Sequence, residues 1–169
     1  MKVVQKPISL SEKQKPINVL SQTEFDLIAS PSGWLDCTII QDAHVLLSKI
    51  NNQISGFQRP TLGPVRQFSV MTGAFIQIVH VNNNHWVCLT SIGCLPGYIS
   101  LLDSMSSPII PQELTELGKN LLGPNFKGIS NLRVQQQQNG SDCGVFAIAF
   151  ATCLAYGRSP NVHFRVIPQ

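Results

Sequence analysis

The chain of 169 residues predicts an α+β domain in which a central antiparallel sheet packs around a buried helix. Three features lead there. Residues 75–81, 85–90 and 98–102 are short runs rich in branched and aromatic residues, separated by turns that suit neighbouring antiparallel strands. The segment Val145 to Ala155 is apolar on nearly every side, too short for the ~20 residues of a membrane span and suited to a helix in the middle of a domain. The composition is 43% hydrophobic and 12% charged with a net charge of +3. That balance excludes a disordered chain, and the length argues against two independent cores.

Each element has its own local cause. Residues 1–20 carry Lys2, Lys6, Lys13, Lys15, Pro7 and Pro16 with little apolar periodicity, and are expected to be a flexible arm. Ser21 followed by Glu24 three residues later is a helix-start pattern ahead of Phe25, Leu27 and Ile28, and the helix should stop near Pro31. A longer amphipathic helix is expected from Trp34 onward, with Leu35, Ile39, Leu46 and Ile50 facing inward and His44 on an ordinary face. Asn51, Asn52, Gly56, Pro60, Gly63 and Pro64 mark a loop. Strands then follow at Phe75–Val81, His85–Thr90 and Tyr98–Leu102, the first two joined by an Asn-Asn-Asn turn. A helix is expected over Pro111–Leu122, begun by Pro111 and closed by Gly123-Pro124. A short strand is expected over Ser130 to Gln135, and the buried helix runs from Gly144 to Tyr156 with Gly157 as its cap.

The residues able to do chemistry gather at the ends of these elements. Cys143 directly precedes the buried helix, where free amides and roughly half a positive charge favour thiolate over thiol. The helix alone supplies at most about one pKa unit, so full activation needs an imidazolium beside it. On spacing alone, an inert buried thiol remains the competing reading. His85 opens one strand and Asp103 ends the next, which puts both at the same end of the meander, where a carboxylate can orient an imidazole. A surface histidine and a turn aspartate are the alternatives there.

Other function classes are poorly supported. His85, Cys88 and Cys94 are close in sequence but lack the paired spacing of a zinc site, so no metal and no cofactor are expected. Lys and Arg do not cluster, which argues against nucleic acid. Five cysteines at irregular spacing do not form a disulfide framework and are read as reduced thiols. Without a signal-like apolar segment or a membrane span, the expected location is intracellular, nucleus or cytoplasm.

The motifs His85-Trp86, Leu101-Leu102-Asp103-Ser104 and Gln137-Gln138-Asn139-Gly140-Ser141-Asp142-Cys143-Gly144 resemble those of the ubiquitin-like protein proteases. That family includes the SUMO-specific proteases and, more distantly, the adenovirus-type cysteine proteases. Trp34-Leu35-Asp36-Cys37-Thr38-Ile39-Ile40 is a weaker match to the family's first helix, with Asp36 where the family usually has Asn and Cys37 where it usually has Asp. The resemblance spans residues 20 to about 165. It implies a papain-like fold with residues 21–169 as the catalytic domain, His85 as general base, Asp103 as its orienting group and Cys143 as nucleophile. It also implies that Gln137 donates to the oxyanion, and that Trp34 and Trp86 close a slot over a tail ending in Gly-Gly. The implied partner is a ubiquitin-like protein (SUMO, a NEDD8-like protein or ubiquitin) or its conjugates, acted on by a monomer. The implied reaction is hydrolysis of peptide or isopeptide bonds through a thioester. The rival class is a silent module that only binds such a tail. Because the chain ends soon after Phe164, the domain is expected either to lack the family's last helix or to be a minimal form of it.

Overall fold

The computed structural model describes residues 20–82, 84–105 and 107–161. Except for Leu20, the expected arm lies outside these residues, and so does the stretch after Phe164 where a last helix would stand. Helix α1 (Gln22–Ala29) begins with the expected capping box: the Ser21 hydroxyl accepts from the Glu24 amide at 3.3 Å, and Glu24 Oε2 accepts from the Ser21 amide at 2.7 Å. Helix α2 (Cys37–Leu47) is capped by Asp36, whose carboxylate accepts from the amides of Thr38 and Ile39 at 2.9 and 3.0 Å.

The inward face of α2 differs from the expected one. Leu35 and Ile39 are buried, but Leu46 and Ile50 are 50% and 37% exposed. The helix stops at Leu47, and Ile40, His44 and Leu47, four and three residues apart, form the inner stripe. His44 is fully buried rather than lying on an ordinary face. Its Nδ1–H donates to Gln58 O at 3.0 Å while Nε2 accepts from the Ile78 amide at 3.3 Å, so both ring nitrogens are satisfied by backbone.

Five strands form one sheet in the order β1 (Ser55–Gly56), β2 (Phe75–Val81), β3 (His85–Thr90), β4 (Tyr98–Leu102), β5 (Gly128–Asn131). The expected meander is its centre: β2 to β4 are antiparallel and have the expected limits. Asn82 holds φ at 52° in the β2–β3 turn, a conformation Asn tolerates better than most residues. The two edges pair in parallel, β1 with β2 and β5 with β4, which local sequence patterns do not reveal. Strand β5 begins two residues before the expected 130–135 segment and ends at Asn131, because it pairs with β4 from Tyr98 with Gly128 through Leu101 with Asn131. Beyond it the backbone is taken up one bond at a time, Leu132 N to Leu101 O at 2.8 Å and Gln137 N to Ser104 O at 2.9 Å.

Alternation along the central strands buries both faces of the sheet. Ile76, Ile78, Trp86 and Cys88 pack with residues of α2 and of α4 (Cys143–Ala155). Phe75, Val79, Val81, Val87 and Leu89 pack with Leu114, Leu117, Leu121 and Leu122 of α3 (Gln112–Leu122). The sheet is therefore the middle layer of three. Helix α4 begins and ends one residue earlier than expected, with Tyr156 as its cap and Gly157 following at φ 66°.

His44 makes stability depend on pH. Burial lowers its pKa from 6.5 to about 4, and the hydrogen bond to Gln58 O recovers only part of the shift. The unfolded chain binds the proton first, so His44 stabilises the fold fully above its unfolded value and loses that contribution as pH falls from about 6.5 through about 4. The stability advantage of the wild type over His44→Asn, measured by urea unfolding, should therefore shrink by about 3 kcal/mol between pH 7.5 and pH 4. A constant difference across that range would contradict this assignment.

Candidate active site

Three elements deliver the site. The hairpin turn after β2 ends where His85 starts β3, β4 runs back beside it and ends at Leu102, and Asp103 follows at the same end of the sheet. His85 Nε2 lies 2.7 Å from Asp103 Oδ1, with side chains only 15% and 13% exposed. The same carboxylate oxygen accepts from the Met105 amide at 2.8 Å, which fixes its orientation. With Nε2 turned to Asp103, Nδ1 is the ring nitrogen left to act on the Cys143 thiol, to which His85 is electrostatically coupled.

Cys143 is the first residue of α4 and is 2% exposed. Burial by itself would push its thiol up. The bond to His85, the amide of Trp86, the charge on His85 and the amide of Gly144 together bring its pKa below the ordinary 9.0. His85 shows the complementary balance: burial pushes it down, but its bonds to Asp103 and Cys143 and their charges raise it to about 9. Burial pushes the thiols of Cys37, Cys88 and Cys153 the other way, with the Asp36 charge adding to the effect at Cys37. A thiolate paired with an imidazolium is the state this arrangement favours.

Gln137 is tied to the same end of the sheet. Its amide N–H donates to Ser104 O at 2.9 Å, and its side-chain Nε2 donates to Asn139 O at 2.6 Å. A primary amide carries two N–H groups, so a second remains beyond the one given to Asn139 O. Asn139 in turn organises the approach to α4: its Oδ1 accepts from the amides of Ser141 and Asp142, and its Nδ2 donates to Asp142 Oδ2 at 2.8 Å. Asp142 consequently leaves the first amides of α4 without a side-chain cap. The Gln135–Gln138 repeat conceals Gln137 at the level of composition, and Asn139 carries no local signal beyond its turn propensity.

The two tryptophans have different surroundings. Trp34 is 46% exposed, whereas Trp86 is 3% exposed and packs against the His80 ring, tilted at 42° with centroids 4.5 Å apart. The Trp86 indole donates to Leu35 O at 2.8 Å. Leu35 in turn presses on the start of α4, where a Cβ added to Gly144 would sit 2.9 Å from Leu35 Cβ. The segment bearing Trp34 is therefore held against the residue after Cys143 by a packing contact that only glycine permits and by a hydrogen bond from Trp86. Asp36 spends its carboxylate on capping α2.

Among the described residues, no three His, Cys, Asp or Glu side chains are arranged to hold a metal ion. Cys88 is closed in the core, and Cys94 Sγ lies 3.2 Å from Ser100 Oγ.

The model of the Ulp1 protease family, C-terminal catalytic domain, matches residues 73–168, more than half of the chain. The chain belongs to the Ulp1 protease family. It is therefore a cysteine protease domain. No curated protein sequence matches the chain. Among solved structures, the SUMO protease Ulp1 with its catalytic cysteine oxidised to a sulfonic acid superimposes with a TM-score of 0.62 at 19% identity, covering 85% of this chain and 76% of that one. The C-terminal Ulp1 protease domain in complex with Smt3, the yeast orthologue of SUMO, gives 0.59 at 20% identity, covering 83% and 73%. The Xanthomonas campestris effector XopD bound to ubiquitin gives 0.51 at 14% identity, covering 75% and 76%. At these identities the likenesses establish the papain-like α+β fold, while the family rests on the sequence model. Among the described residues, no helix is long and apolar enough to cross a membrane.

The paired shifts of Cys143 and His85 predict a bell-shaped pH profile of turnover. Activity should rise as the thiol ionises below its ordinary 9.0 and fall as the imidazolium is lost near pH 9. In His85→Ala, inactivation by iodoacetamide should require higher pH than in the wild type, because the partner that lowers the thiol is gone. Identical alkylation profiles would contradict this pairing.

Proposed function

We propose that Cys143, His85, Asp103 and Gln137 hydrolyse the bond after the Gly-Gly tail of a ubiquitin-like modifier. The observation carrying this reading is the 2.7 Å His85–Asp103 contact, in a ring whose charge is coupled to the Cys143 thiol. Cys143 Sγ attacks the carbonyl carbon of the terminal glycine, and the oxyanion accepts from the backbone amide of Cys143 and from Gln137 Nε2. The His85 imidazolium protonates the leaving amine as the C–N bond breaks, leaving a thioester. Neutral His85 then takes a proton from water, whose oxygen attacks the thioester and releases the carboxylate and the thiolate. Asp103 holds the ring in the orientation both steps need.

Trp34, half exposed beside the start of α4, would cover the glycines of the tail, since a narrow aromatic slot excludes residues with larger side chains. Trp86 contributes mainly from below, by holding the Trp34 segment through Leu35 O. The catalytic domain in this reading comprises residues 21–169 and acts as a monomer on SUMO, a NEDD8-like protein, ubiquitin or their conjugates, without nucleic acid. Support for the partner class comes from solved relatives bound to Smt3 and to ubiquitin. The five free cysteines favour a reducing setting in the nucleus or cytoplasm.

Incubation with a panel of ubiquitin-like proteins bearing C-terminal thiol-reactive groups tests this function. A covalent adduct with one class of modifier, absent from Cys143→Ser, is expected. Reversible binding with no adduct at neutral pH in reductant would leave only a binding module. Gln137→Ala should reduce kcat by about 100 to 1000 fold, the usual cost of one oxyanion donor.

A further inference from the structure

We propose that Ser104 is a positioning residue that sets the orientation of the Gln137 side-chain amide. The inference rests on the reading of Gln137 as an oxyanion donor and adds a residue acting through it. Ser104 follows Asp103 directly and is 2% exposed. Its Oγ–H donates to Gln137 Oε1 at 2.5 Å, and its carbonyl accepts the Gln137 backbone amide at 2.9 Å.

The chemistry of the neighbours dictates which end of the amide is which. Asn139 O can only accept, so the Gln137 atom 2.6 Å from it has to be the nitrogen. The oxygen then faces Ser104, where only a donor is tolerated, and the hydroxyl supplies it. A rotated amide would set Oε1 against a carbonyl and remove Nε2 from the side where it serves the oxyanion. Ser104 and Asn139 O thus grip the two ends of one amide, and the second N–H of Nε2 is left for substrate.

The position of Ser104 has a further consequence. Asp103 Oδ1 accepts from the Met105 amide at 2.8 Å, closing a turn around Ser104, and Gln136 Nε2 donates to Asp103 O at 3.0 Å. One dipeptide at the end of β4 thereby orients both the base, through the Asp103 carboxylate, and the oxyanion donor, through the Ser104 hydroxyl. The two tasks are chemically separable, because alkylation of a thiolate develops no oxyanion whereas amide hydrolysis does.

The test uses the full chain, a fluorogenic peptide amide ending in Gly-Gly-aminocoumarin, and the variants Ser104→Ala, Gln137→Ala and both together, with Ser104→Thr keeping the hydroxyl. Thermal unfolding verifies that each variant folds. Ser104→Ala should lower kcat about 10 to 100 fold, less than loss of the donor itself, with KM within about twofold of wild type and the pH profile of iodoacetamide inactivation unchanged. In the Gln137→Ala background, the same substitution should change kcat by less than about twofold, because the group it acts through is gone. Ser104→Thr should recover most of the loss. Multiplicative effects in the double variant, or a shifted alkylation profile in Ser104→Ala, would overturn the inference. If Gln137→Ala is crippled while Ser104→Ala turns over normally, the inference alone fails. If Gln137→Ala keeps wild-type kcat, or the wild type does not cleave the peptide at all, the oxyanion reading fails and the inference with it.

Discussion

The burial of α4 against the sheet is the constraint on which the rest of the structure depends. Phe146, Ala147, Phe150, Ala151 and Leu154 are all closed into one core with Ile76, Ile78 and Trp86. Each large side chain there contributes about 1.5 to 3 kcal/mol of burial, well above the contribution of a helix dipole or a single neutral hydrogen bond. Cys143 is the first residue of that helix, so the packing that seats the helix also seats the thiol over the start of β3. The glycine after it is part of the same requirement, because Leu35 occupies the space a side chain would need.

Two histidines, His44 buried and His85 half-buried, show how partners decide chemistry once packing has decided position. His44 faces a carbonyl and an amide, which together admit only the neutral ring, and its pKa falls to about 4. His85 faces a carboxylate and a thiol, and its pKa rises to about 9. Burial pulls both in the same direction, so the difference lies in whether the neighbours stabilise a positive charge. His44 serves as a core residue joining α2 to β2, while His85 is held charged beside a thiol. The contact between the Asp103 and Ser104 pair and the 136–137 segment brings this charged pair and the side-chain amide of Gln137 into one site.

The legibility of the fold varied from element to element for physical reasons. The limits of β2, β3 and β4 could be read because alternation and the Asn turn are local causes acting where they stand, while α3 starts one residue later than expected, with Pro111 as its N-cap. The inner face of α2 was misread because a histidine satisfied by backbone takes a position that hydropathy reserves for an aliphatic residue. Strand β5 was displaced because its extent is set by the length of β4, and β1 is only two residues long and exists through pairing with β2. At the site, His85, Asp103 and Cys143 stood out as residue types at element ends. Ser104 as a support for Gln137 and the Leu35 carbonyl as an anchor for Trp86 did not, since both depend on contacts between segments distant in the chain.

The sequence alone therefore determined most of the local elements, the order of His85, Asp103 and Cys143 along the chain, and, through motifs covering most of its length, the family. All of these follow from interactions within a few residues or from motif identity. Tertiary structure decided which groups meet: the parallel edges of the sheet, the pairing of His85 with a carboxylate and of His44 with backbone, and the direction in which the Gln137 amide points. Those outcomes depend on contacts between residues 14 to 51 positions apart, as between His44 and Gln58, His85 and Asp103, Ser104 and Gln137 or Leu35 and Trp86. No local propensity encodes such distances; they are set when the core closes.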